Sequence, residues 1–184
     1  MRLMDKMRAH AAFEVIGTSG YSLSEISKME SLYDIQIAGG LRCFFAGMGR
    51  SSGNMTFGAM LIPYLGYCAP KLPSGIGGHV AMQIEFKNEL LRAGRPFRTG
   101  KPFLFSVENE TQYFFLRTDA DKPLRGISSE DDYSALSNNP EQVYQYDENT
   151  DVVSRTDMTF IQYLQSRLGP EVSTTSGAGE MIVL

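Results

Sequence analysis

The stretch from Tyr21 to Gly40 constrains the fold more than any other part of the chain. Ser22 with Glu25 three residues later is a capping box, in which hydroxyl and carboxylate each satisfy an orphan backbone N–H. Leu23, Ile26, Met29, Leu32 or Tyr33, and Ile37 recur at the helical period. Gly39-Gly40 reads as the stop, because glycine enters the left-handed cap without steric cost. The pattern predicts a helix over Ser22–Ala38 with one apolar stripe. That stripe needs a surface to cover it, and the patterns elsewhere supply mostly strands.

Met1 to His10 carries Arg2, Lys6 and Arg8 and reads as a short basic N-terminal arm, either a short helix or loose chain. Phe13–Ile16 reads as a first strand, and Gly17-Thr-Ser-Gly20 as a turn. Leu41–Met48 reads as a second buried helix and Gly49–Asn54 as a loop. Met55–Cys68 reads as extended, since Pro63 excludes a helix interior. His79–Phe86 alternates and reads as a strand, with Val80, Met82, Ile84 and Phe86 on one face. Phe103–Val107 and Tyr113–Thr118 read as a hairpin around Glu108-Asn-Glu110. Asp157–Leu168 reads as an amphipathic helix stopped by Gly169-Pro170, with Val172 and Glu180–Leu184 as closing strands. Strands and helices do not alternate as βαβ units. The expectation is one α+β domain over 11–184, its sheet mostly antiparallel, with a long helix near each end.

A chain of 184 residues is long enough for one sizeable core. No apolar run reaches the roughly 18 residues of a membrane span, so contact with a membrane is expected at its surface. Two cysteines, no Cys-x-x-Cys and no leader pattern point to a reducing, intracellular setting. The net charge of −4 is uneven. From Asp119 to Asp151 nine acids face two bases, a net −7 that leaves +3 on the remainder. That excursion reads as an acidic loop over 119–151 on a mildly basic body.

The basic positions Arg2, Lys6, Arg8, Lys71, Arg92, Arg95, Arg98 and Lys101 are the candidates for contact with RNA phosphates, anionic lipid or a second copy of the chain. The bland alternative is an ordinary solvated surface. Cys68 and His79 offer a different class: a cysteine-dependent amidase or deamidase sets an imidazole beside a thiol to activate it. Read blandly, Cys68 is a small buried hydrophobe and His79 a rim residue. Arg117 with Ser173-Thr-Thr-Ser176 has the outline of toxin-type ADP-ribosyltransferases, but Glu180 stands too close to be their catalytic glutamate. Arg117 then reads as a solvated strand-end charge. No His/Cys/Asp spacing closes a metal site, and no cofactor motif is present: Gly75-Ile-Gly-Gly78 lacks the lysine and helix of a phosphate loop.

With the elements in this order, the chain resembles the matrix proteins of rhabdoviruses. One block is Phe13-Glu-Val-Ile16, then Gly20-Tyr-Ser22 opening a helix that closes on Leu-Tyr-Asp-Ile and Ala-Gly39, then an apolar segment to Met48. The other is Phe160, Leu164, Leu168-Gly169 and Val172, followed by Ser176-Gly-Ala178 and an apolar end. The resemblance implies a non-enzymatic structural protein of the virion. Such proteins self-associate, condense a ribonucleoprotein and bridge it to the inner face of the envelope during budding. The chain departs from the family in its net acidity, its short basic arm and the absence of Pro-Pro-x-Tyr.

Overall fold

A strand that buries both faces needs cover on both sides. Pro102–Glu108 is such a strand, buried from Pro102 through Val107 in the computed structural model of the chain. The described residues are 3–57, 78–92, 101–109, 111–118 and 139–170. Their elements run α1 (Leu3–His10), β1 (Thr18–Ser19), α2 (Leu23–Tyr33), α3 (Gly39–Met48), β2 (Ser51–Ser52), β3 (Met55–Phe57) and α4 (Gly78–Arg92). Then follow β4 (Pro102–Glu108), β5 (Gln112–Arg117), β6 (Gln142–Asp147), β7 (Val152–Thr159), α5 (Phe160–Arg167) and β8 (Leu168–Pro170).

The main sheet has the order β4-β5-β6-β7, and every pairing is antiparallel. Two small antiparallel pairs, β1-β2 and β3-β8, stand beside it. Phe103, Phe105, Phe114, Leu116 and Val143 pack with residues of α1, α2, α3 and α5. Leu104, Val107, Phe115, Tyr144 and Tyr146 pack with Phe86 and Leu90 of α4. The domain is α+β, an antiparallel sheet between a four-helix layer and a single helix. The expected hairpin is β4-β5. The expected long helices near the ends are shorter than α4, which has 15 residues and lies mid-chain.

The register of β4 on β5 shifts between Leu104 and Ser106, a bulge that breaks strict alternation. Ser106 therefore follows Phe105 onto the α5 side. There Tyr163 donates its hydroxyl to Glu108 Oε1 (2.6 Å), and its oxygen accepts from the Ser106 hydroxyl at 2.9 Å. Arg167 grips both Glu108 oxygens at 2.8 Å. Burial, reinforced by the Glu108 carboxylate, pushes the Tyr163 phenol far above its ordinary range. On the other face α4 meets the edge of β4 away from β5 with an amide. Gln83 Nε2 donates to the Leu104 carbonyl (2.6 Å), and the Leu104 N–H donates to Gln83 Oε1 (3.1 Å), so a side chain stands where a neighbouring strand would.

The opening helix has its predicted cap: the Ser22 N–H donates to Glu25 Oε2 (2.9 Å), and the Glu25 N–H to Ser22 Oγ (3.4 Å). Hydrogen bonding to Ser22, then to Arg50, holds the Glu25 carboxyl down at about 2. Its stop is not Gly39-Gly40. The helix ends at Tyr33 because Asp34 enters the left-handed region at φ 51° and returns its N–H to Glu30. Ile35 and Ile37 are buried on the connection, and the two glycines begin α3.

Other expectations are corrected on physical grounds. The N-terminal segment is a docked helix, since Leu3 and Met7 are buried in the core. Phe13–Ile16 is not a strand. Asn54 holds it instead, accepting from the Ile16 N–H (2.9 Å) and donating to the Glu14 carbonyl (2.7 Å). The stretch read as a strand, His79–Phe86, is part of α4: Gln83, Phe86, Glu89 and Leu90 are buried at helical spacing, while Ile84 faces out. The acidic excursion is not one loop. Beyond 119–138, which lies outside the described residues, Val143, Tyr144 and Tyr146 bury β6, and Asp147 to Asp151 form its turn into β7. Arg117 is fully buried rather than solvated. Gly169-Pro170 belongs to β8, which pairs with β3. The expected closing strands lie outside the described residues, as does most of Met55–Cys68, though Met55–Phe57 is extended.

Candidate functional site

Of the basic candidates, Arg2, Lys71, Arg95 and Arg98 lie outside the described residues. The other four do not form one surface. Lys6 and Arg8 stand on α1, with Arg8 exposed. Lys6 lines a cleft of 790 Å³ between α1, the start of α3 and α5, together with His10, Cys43, Glu141 and Gln162. Arg92 ends α4, on the other side of the main sheet from the α1 docking surface, and Lys101 precedes β4 at the edge between α2 and α4. Each is already tied to an acid, Arg92 to Glu89 one turn back and Lys101 to Asp34 at the end of α2. Lys101, Asp34, Lys87 and Leu91 line a second cleft of 290 Å³, floored by Tyr33 and Leu90.

The larger cleft depends on Gly39 and Gly40, which open α3. Ala38 offers α3 no side-chain cap. Glu141, over a hundred residues away, supplies it by accepting the Gly40 N–H. A side chain at Gly39 or Gly40 would collide with that carboxylate, and Gly39 also has φ +52°. A carboxylate at a helix N-terminus meets the positive end of the dipole. Gly39-Gly40 is therefore a docking point for Glu141, which the neighbouring sequence alone does not announce.

Cys68 lies outside the described residues, and the side chain of His79 is not described. His79 stands in the first turn of α4, not on the strand from which its pairing with Cys68 was argued. Instead, Cys43 and His10 border the same cleft, with Cys43 exposed. Among the described residues no three of His, Cys, Asp and Glu converge as for a metal ion, and no helix is long and apolar enough to cross a membrane.

Sequence reading also missed the outer face of α4. Ile84 is 53% and Leu91 61% exposed, and together they place two apolar side chains on one line of the helix. Their seven-residue spacing was the available signal, hidden by the alternation that suggested a strand. Comparison with protein-family models, with curated proteins and with solved structures gives no match.

Proposed function

We propose that this chain is a matrix-like structural protein, which self-associates and bridges a ribonucleoprotein to the inner face of a membrane envelope during assembly and budding. One observation carries the reading beyond the sequence. The two stretches that resemble rhabdovirus matrix proteins lie over a hundred residues apart, yet they pack into one cluster: Tyr21, Tyr33, Phe44 and Phe45 with Phe160 and Leu164. Phe44 meets Phe160 edge to face at 5.7 Å, and Phe45 meets Phe103 of the sheet at 6.1 Å. A shared unit of this kind is what a common fold requires of two separate blocks.

The charge distribution supports a multivalent mode of action. Lys6 and Arg8 on α1, and Lys87, Arg92 and Lys101 with their acids Glu89 and Asp34 around the end of α4, give the domain two separate sets of cations instead of one groove. Each set contributes modest affinity, and assembly multiplies it. Pelleting with single-stranded RNA, and flotation with phosphatidylserine vesicles, test this over a salt series. Binding that falls steeply from low to moderate salt supports the reading. A strictly monomeric protein that binds neither probe at low salt overturns it.

A further inference from the structure

The outer face of α4 is self-complementary. Residues seven apart on a helix lie about 20° from each other around its axis, so Ile84 and Leu91 form one line. Asn88 lies close to that line. Glu85 and Arg92 flank it on one side and Lys87 on the other, all exposed. The opposite side of the helix, with Gln83, Phe86, Glu89 and Leu90, is committed to the sheet.

We propose that α4 pairs antiparallel with α4 of a second copy, about a twofold axis near Lys87 and Asn88. This rests on the self-associating reading above and assigns it a surface. Around that axis Ile84 meets Leu91 of the second copy, and Leu91 meets its Ile84. Antiparallel pairing sets like flanks together, which brings Glu85 against Arg92 of the second copy twice. Arg92 already serves Glu89, but a guanidinium has five N–H donors and can serve a second carboxylate. Parallel pairing would set unlike flanks together. Glu85 would then meet Lys87, a point charge without the forked geometry of arginine, and Arg92 would face no acid on α4 of the other copy. Antiparallel pairing also opposes the two helix dipoles, which parallel pairing would align. Charge complementarity and the dipoles therefore favour the antiparallel arrangement. Lys87 lies on the flank toward the smaller cleft, so the two lysines approach each other there, a like-charge cost set against the two Glu85–Arg92 contacts. Two apolar side chains per copy make a small interface of the weak, concentration-dependent kind. Such a contact suits a protein that assembles through many of them.

Reciprocal substitution tests the pairing. Ile84→Lys and Leu91→Glu both fall at exposed positions, where folding tolerates change. Each variant alone should lose dimer in sedimentation equilibrium by at least about tenfold, because a charge then faces an apolar partner twice (1.4 kcal/mol, the energy of a tenfold change). Mixed in equal amounts, the two should recover it. The lysine introduced in one copy then meets the glutamate introduced in the other, and native Leu91 meets native Ile84. Circular dichroism confirms that each variant is folded. If the unaltered chain associates and both variants associate equally well, this surface is wrong and self-association stands. If the mixture associates no better than either variant, the antiparallel register is wrong. If the unaltered chain stays monomeric throughout, both readings fall.

Discussion

Gln83 carries the clearest energetic prediction. Its amide is 3% exposed and holds both polar groups of Leu104 at the edge of β4. Gln83→Leu keeps the size of the side chain and removes both bonds. Each buried backbone group left without a partner costs about 1–3 kcal/mol, so the loss is about 2–6 kcal/mol. Burying a leucine there returns about 1–2 kcal/mol, which leaves a net destabilisation of about 2.5 kcal/mol at the middle of both ranges. A domain of this size loses roughly 2–4 °C per kcal/mol, so the midpoint should fall by about 5–10 °C. Urea denaturation followed by circular dichroism measures the same quantity with an independent slope. Gln83→Glu adds a sign. Its carboxylate can accept from the Leu104 N–H but repels the Leu104 carbonyl, whereas the protonated acid can donate to it. That variant should recover stability relative to the native chain as the pH falls. A loss below about 0.5 kcal/mol for Gln83→Leu, with unchanged slope, would refute the idea that this amide stands in for a strand.

Gly39→Ala should destabilise by about 1–2 kcal/mol from the left-handed backbone alone, and more from the Glu141 collision, as read by thermal melting. Glu141→Ala should cost about 0.5–2 kcal/mol, the range for losing a helix cap, and should partly relieve the penalty of Gly39→Ala in a double-mutant cycle. Glu25, held at about 2 in the folded chain, stabilises it above the ordinary carboxylate range, and that contribution drains away between about pH 4.5 and 2. Glu25→Gln should therefore flatten the acid limb of stability against pH while leaving α2 folded. Burial first, with Glu148 and Asp151 as hydrogen-bond partners, lifts the Tyr113 and Tyr146 phenols to about 12. Their help to folding is complete below about pH 10 and is lost as pH rises through 12, so phenolate absorbance should show late-titrating tyrosines until the chain unfolds.

What was legible in the sequence was whatever is decided locally. The Ser22–Glu25 cap, the buried helix after it, the β4-β5 hairpin and the apolar stripe of α5 all depend on residues within a turn or two. The α5 start at Phe160, after a capping box between Thr159 and Gln162, lies three residues from where the pattern places it. What was illegible depends on distant partners. Gly39-Gly40 looks like a helix stop until Glu141 arrives to cap the next helix. Arg117 looks like a surface charge until the second core closes over its strand. Alternation over His79–Phe86 fits a strand as well as a helix, and only the sheet beneath Phe86 and Leu90 decides between them. The candidate site suffered most, because a basic surface is a property of assembled elements. The structure separates Lys6 and Arg8 from Arg92 and Lys101, which composition had joined.

Electron microscopy of the purified full chain at low salt, alone and with a helical ribonucleoprotein, addresses assembly directly. A matrix-like protein should form reversible ordered assemblies that dissolve at moderate salt, and the ribonucleoprotein should become coated or condensed. Dispersed single particles at every concentration, beside an unchanged ribonucleoprotein, would overturn the matrix-like reading.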